Sequence, residues 1–136
     1  MSAIVLDSHA LLAFFRGESS ALAVKDMLHK AALRDRPLQM TEVNYAEVKY
    51  TLSKKDGSSK WLEAKLVLEG LPIEFHPATR ELADLAADFK TRHRLSLADA
   101  FAAALAKEKK AELVTGDPEF KSLEKEIKIH WLKTKG

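Results

Sequence analysis

Ala3-Ile4-Val5-Leu6-Asp7-Ser8 sets an apolar run directly against a carboxylate and a hydroxyl. A short run of this kind, followed by a helical pattern, reads as a strand buried on both faces. Asp7 then stands at the strand's carboxyl end, the edge where open α/β sheets place their chemistry. The rest of the chain is read by asking which residues gather round Asp7.

Moving outward, Ser8 is placed to cap a helix from about His9, with Leu11, Leu12, Phe14 and Phe15 among its apolar members and Gly17 at its end. Ser19 or Ser20 opens a second helix through Leu22, Val24, Leu28 and Leu33, broken by Arg34-Asp35-Arg36-Pro37. Leu38–Met40 is a strand candidate, and Thr41 caps a third helix through Val43, Ala46, Val48 and Leu52. Lys54-Lys55-Asp56-Gly57 is a turn, and a fourth helix spans about Ser58 to Glu69 before Gly70-Leu71-Pro72. Ile73–Phe75 is a strand, and a fifth helix runs from about Thr79 to His93. Ser96-Leu97-Ala98-Asp99 has capping-box spacing and starts an alanine-rich sixth helix. Glu112–Thr115 is a strand left through Gly116-Asp117-Pro118, Phe120–Leu123 a helical turn, and Ile127–Leu132 a last strand.

Strands and helices therefore alternate. That order predicts parallel strands joined by helical crossovers, a layered α/β fold. The 136 residues are one domain's worth, expected to form a single domain over 1–136. Hydrophobic residues make up 46% and charged residues 31%, which argues against disorder. A net charge of +2 is too mild to announce nucleic-acid binding and does not exclude it. The absence of cysteine removes disulfides, thiolate metal sites and cysteine catalysis. No apolar run approaches a membrane span, and Asp7 interrupts any signal-peptide core, so a cytoplasmic protein without membrane association is expected.

Four acids stand out. Asp7 and Asp117 each follow an apolar strand, and in a parallel sheet both strand ends open on one edge. Asp99 lies in the first turn of a helix, and Glu47 in mid-helix. Singly, each has an ordinary reading: Asp ends strands, completes caps and suits the helix dipole, and Glu favours helices. As a set, carboxylates converging on one edge repel each other unless a hard cation neutralises them. Mg²⁺ and Mn²⁺ accept such oxygen ligands and suit a site without histidine or cysteine better than zinc does.

Ile4 to Leu12, Asn44-Tyr45-Ala46-Glu47-Val48, Leu95 to Phe101 and Leu113-Val114-Thr115-Gly116-Asp117 fall in the order and spacing of a PIN domain. The sequence most resembles the VapC-type toxin ribonucleases of toxin–antitoxin systems, over Ala3 to about Trp131. The resemblance implies a three-layer α/β/α domain with a central parallel sheet of about five strands. It implies a Mg²⁺- or Mn²⁺-dependent endoribonuclease acting on RNA, restrained by a cognate VapB-type antitoxin and forming a homodimer. Asp7, Glu47 and Asp99 match the acids that hold the principal metal, and Asp117 matches a fourth catalytic acid. Ser8 and Thr115 match small hydroxylated positions beside the acids, and Asn44 a polar position one turn before the glutamate. His9 receives no role.

Two basic clusters follow from the sequence alone. Lys90, Arg92, His93 and Arg94 precede the Asp99 helix, and Lys54 and Lys55 follow the Glu47 helix. Lys54, Lys55, Arg92 and Arg94 are candidate RNA phosphate contacts, or ordinary solvated helix ends. Most of Trp61, Leu62, Leu66 and Leu68 are expected in the core, with Trp61 open; the toxin resemblance also allows them to line a groove for an antitoxin helix. Two other functions fit an α/β frame with acids: a doubly wound phosphoacceptor domain and a catalytically silent binding module. The phosphoacceptor reading expects a lysine after a late strand, where this chain has Thr115-Gly116-Asp117.

Overall fold

The computed structural model describes residues 3–133. β1 (Ile4–Leu6) leads through α1 (Ser8–Phe15) and α2 (Ala21–Leu33) to β2 (Leu38–Thr41). α3 (Glu42–Asp56) and α4 (Ser58–Glu69) lead to β3 (Ile73–His76), and α5 (Arg80–Arg92) and α6 (Leu97–Lys109) to β4 (Glu112–Thr115). A 3-10 helix (Pro118–Leu123) precedes β5 (Ile129–Trp131). The five strands form one parallel sheet in the order β3-β2-β1-β4-β5. The expected α/β fold with a five-stranded parallel sheet is the one observed.

Strand alternation divides the core in two. Leu6 and Val114 pack with Met40, Leu11, Val24, Val48 and Trp61 on one face, under α1 to α4. Val5 and Leu113 pack with Phe89, Leu105 and Phe120 on the other, under α5 and α6. α6 is buried on all sides from Ala98 to Ala106. Its alanines allow the helix to lie close to both the sheet and α5, as the composition suggested. The chain moves outward from β1 to β2 and β3, then crosses back to β4 beside β1. The strand order therefore reverses between β1 and β4, and their carboxyl ends border the crevice that such a reversal opens.

Some local expectations change. Asp7, not Ser8, caps α1: its side chain accepts the Ala10 N–H at 2.8 Å, and Ser8 is the first helical residue. The turn at 54–57 contracts to Gly57 alone, whose φ of +94° lets α3 pass directly into α4. The last strand is only Ile129–Trp131. The buried stripe of α4 is Trp61, Ala64 and Leu68, so Leu62 and Leu66 face solvent, 59% and 73% exposed. Helical spacing explains this, because Leu62 and Leu66 sit one and two residues off the stripe.

Leu66→Ala should therefore shift the stability of the isolated chain by no more than ~0.5 kcal/mol. Leu68→Ala, which empties a buried site, should cost ~2–5 kcal/mol. Urea denaturation midpoints decide between them, and equal losses would overturn the assignment of the α4 face.

Candidate functional site

Asp7 is completely buried where β1 meets α1. Each of its carboxylate oxygens has a donor: Oδ1 accepts the Ala10 N–H, and Oδ2 accepts the Thr115 hydroxyl from the neighbouring strand end. Thr115 in turn accepts the Asp117 N–H at 2.9 Å. One buried threonine thus links the two acids that end β1 and β4. Burial pushes the Asp7 carboxyl up to about 7. The two hydrogen bonds oppose this rise, and repulsion from Asp117 and Glu47 adds to it.

Asp99 arrives from the other side of the sheet. Ser96 caps α6 by accepting the Asp99 N–H at 3.1 Å, which sets Asp99 in the first turn. Only 6% of the residue is exposed. Burial raises its pKa most, followed by repulsion from Asp117 and Asp7, with Ser96 lowering it and Glu47 raising it. Both shifts draw on the same neighbours: Asp117 and Glu47 act on Asp7 and on Asp99, and Asp7 acts on Asp99. The structure thus brings the four acids named from the sequence near one another.

The tightest group was not foreseen. Carboxylate oxygens of Asp99, Asp117 and Glu119 all lie within 4.8 Å of one another. Asp117 caps the 3-10 helix by accepting the Glu119 N–H at 2.9 Å, and this turn brings Glu119 over Asp99. The signal was present in Asp117-Pro118-Glu119, since an Asp cap with Pro behind it starts a helical turn that returns the next acid to the cap. Glu47 is half-buried on α3 and lies outside this group of three.

The supporting polar residues Ser8, Asn44 and Thr115 are all buried. Asn44 Nδ2 donates to Ser8 Oγ at 2.9 Å and to the Ala98 carbonyl at 3.2 Å. The Thr41 hydroxyl donates to Asn44 Oδ1. His9 Nδ1 is buried without a hydrogen-bond partner among the described residues.

The basic residues are less concentrated at the site. Arg92 donates to Glu126 at 2.7 Å and His93 meets the same carboxylate at 2.6 Å. Lys90 donates to the Leu95 carbonyl. Lys54 and Lys55 are exposed in the last turn of α3, ~10 Å along the helix from Glu47. Arg94 is exposed in the loop before α6.

The donor set fits a hard divalent cation. Octahedral ligand oxygens about 2.1 Å from an ion stand on the order of 3–4 Å apart, close to the spacing of the three carboxylates. A cation would also relieve the charge that burial disfavours at Asp7 and Asp99.

The family model described as PIN domain matches residues 4–126. No curated protein matches the chain. Among solved structures, VapBC2 from Rickettsia felis bound to a DNA fragment from its promoter is 15% identical at a TM-score of 0.75, covering 96% of this chain and 99% of that one. Mycobacterium tuberculosis VapC20, a sarcin-ricin loop cleaving toxin, is 17% identical at a TM-score of 0.72, covering 88% and 94%. VapBC-5 from Mycobacterium tuberculosis is 20% identical at 0.64, covering 98% and 100%. At these identities the likeness is one of fold. Among the described residues, no helix is long and apolar enough to cross a membrane.

The raised acids give stability a pH dependence. A carboxyl with a folded-state pKa above its unfolded value of about 4 binds its proton more tightly when folded. Its stabilising contribution is full below pH ~4 and lost as pH rises through about 7, the Asp7 value. In metal-free buffer the melting temperature should therefore fall between about pH 5 and about pH 8, and Asp7→Asn should flatten the fall. A melting temperature that climbs across that window would contradict the buried-acid site.

Proposed function

The chain belongs to the PIN domain family, and from that premise we propose that it is a metal-dependent endoribonuclease, the toxin of a toxin–antitoxin pair. The observation that carries this reading is the desolvation of Asp7 and Asp99 on an edge shared with Glu47 and Asp117. Two buried like charges held together are costly, and a catalytically silent module gains nothing from them. Asp7, Glu47 and Asp99 would hold the principal Mg²⁺ or Mn²⁺, with Asp117 and the newly located Glu119 completing the site toward solvent. The bound ion supplies charge neutralisation, polarisation of a phosphodiester oxygen and a water of lowered pKa.

The chain's own residues do the rest. Thr115 and the Ala10 N–H fix both oxygens of Asp7, so the carboxylate does not reorient as substrate binds. Ser96 fixes the turn that presents Asp99. Thr115 also fixes Asp117 through its backbone, and Glu119, exposed at the mouth, orients water or metal. Lys54, Lys55 and Arg94 would meet RNA phosphates as the strand leaves the cleft, whereas Arg92 is already engaged by Glu126. The phosphoacceptor reading loses ground because Thr115-Gly116-Asp117 stands where it expects a lysine after the late strand.

The toxin reading draws support from the neighbouring folds, which include complexes of VapBC systems. Applied to this chain, it calls for a VapB-type antitoxin that covers the acids, and for a cytoplasmic homodimer of single PIN-like domains spanning 1–136.

Glu47→Gln tests the nuclease most directly. It preserves shape and helix propensity and removes one charge. RNA cleavage in Mn²⁺ should fall ~10²-fold or more, in line with losing one preorganised electrostatic group. The denaturation midpoint should hardly move. Wild-type cleavage should vanish in EDTA, and a Glu47→Gln chain that cut RNA at the wild-type rate would overturn the assignment.

Wild-type protein at a hundredfold excess of Mn²⁺ over its dissociation constant should gain ~2.7 kcal/mol of stability. Expressed without a partner it should slow growth, whereas Asp7→Ala at equal soluble level should not. Equal tolerance of both would favour the silent module.

A further inference from the structure

We propose that Asn44 is the positioning residue that sets the separation of the acids, a role that rests on the metal-dependent reading above. Its amide is completely buried where the two halves of the fold meet. α3 buries Val48 and Leu52 in the core on one face of the sheet and touches the other core only through the half-buried Val43, whereas α6 belongs to that other core. Apolar packing is non-directional and sets each helix against its own face. The distance between Glu47 on α3 and Asp99 on α6 needs a directional tie across the sheet edge, and Asn44 supplies one.

Both bonds that the Asn44 side chain donates end beside an acid. Nδ2 donates to Ser8, the residue after Asp7, and to the carbonyl of Ala98, the residue before Asp99. Asn44 itself lies three residues before Glu47 on the same helix. Ser8 Oγ returns a bond to the Asn44 carbonyl at 3.4 Å, so α1 and α3 are joined twice. The Thr41 hydroxyl accepts the Asn44 N–H at 3.0 Å and donates to Oδ1, which locks the amide's orientation.

The residue type follows from these partners. The Ala98 carbonyl only accepts, so the amide nitrogen must face it, and the oxygen must face Thr41. Aspartate would keep the acceptor, lose both donors and add a sixth acid near the site. Serine is too short to span from α3 to both Ser8 and Ala98. Only asparagine offers two donors and one acceptor at that reach. Asp7 and Asp99 each adjoin a residue bonded to Asn44, Glu47 lies on its helix, and removing the hub releases all three at once.

The test measures Mn²⁺ affinity by calorimetry on the full chain, beside RNA cleavage and a denaturation curve. The variants are Asn44→Ala, Ser8→Ala and, as a control, Leu52→Ala, a fully buried residue on the same helix. Asn44→Ala should weaken Mn²⁺ binding ~10-fold or more, the range seen when groups supporting metal ligands are removed. Cleavage should lose kcat rather than gain KM. Ser8→Ala removes only one arm and should give a smaller loss in the same direction, which decides the matter if Asn44→Ala does not fold. Leu52→Ala should destabilise the chain and leave Mn²⁺ affinity unchanged. Wild-type affinity in folded Asn44→Ala, or in Ser8→Ala where Asn44→Ala does not fold, would overturn the proposal, as would an equal loss in Leu52→Ala. Wild-type protein that bound no Mn²⁺ would instead remove the metal-dependent reading itself.

Discussion

Carboxylates held out of water on one edge of a sheet are the constraint around which this protein is arranged. Asp7 has no exposed surface and Asp99 almost none. A buried carboxylate is unfavourable unless it is hydrogen-bonded, protonated or paired with a cation. The fold answers in part, through the Ala10 N–H and Thr115 at Asp7 and through Ser96 at the Asp99 turn. These bonds do not cancel the penalty, since both carboxyls still stand above their ordinary range. That residual cost is what the proposed cation would offset.

The topology explains why the acids meet. Reversal of strand order between β1 and β4 puts Asp7 and Thr115 side by side and opens a crevice at their ends. α3 starts at the end of β2, so Glu47, in its second turn, reaches the crevice from one face. α6 starts above the opposite face, so Asp99 reaches it from the other. The alanine content of α6 lets that helix sit deep enough to bury Asp99 while remaining helical. Two cores separated by a sheet then converge at a polar junction, where Asn44 bridges α1, α3 and α6.

Strand ends, helix caps and alternation were legible in the sequence because each has a local cause. Val5 and Leu6 announce β1, Thr41 and Ser96 announce their helices, and Asp7, Glu47, Asp99 and Asp117 could be named as acids worth joining. Boundaries set by contacts elsewhere were less legible. The cap of α1 moved from Ser8 to Asp7 because the carboxylate, oriented by Thr115 from another strand, is the group left facing the Ala10 N–H. On α4, four apolar residues looked alike in composition, and only the path of the helix over the sheet decided that Leu68 is covered and Leu66 is not.

By itself, then, the sequence determined the element order and the parallel α/β architecture, and put forward Asp7, Glu47, Asp99 and Asp117 as candidates, because periodicity, capping chemistry and turn residues act over a few positions. The tertiary structure alone decided that Asp117 and Glu119 meet Asp99, that Arg92 is engaged by Glu126, and that Asn44 connects the turns of Asp7 and Asp99. Those relations span from about twenty to over fifty residues along the chain. They are set by how two helical layers close over one sheet edge, and no local pattern encodes that closure.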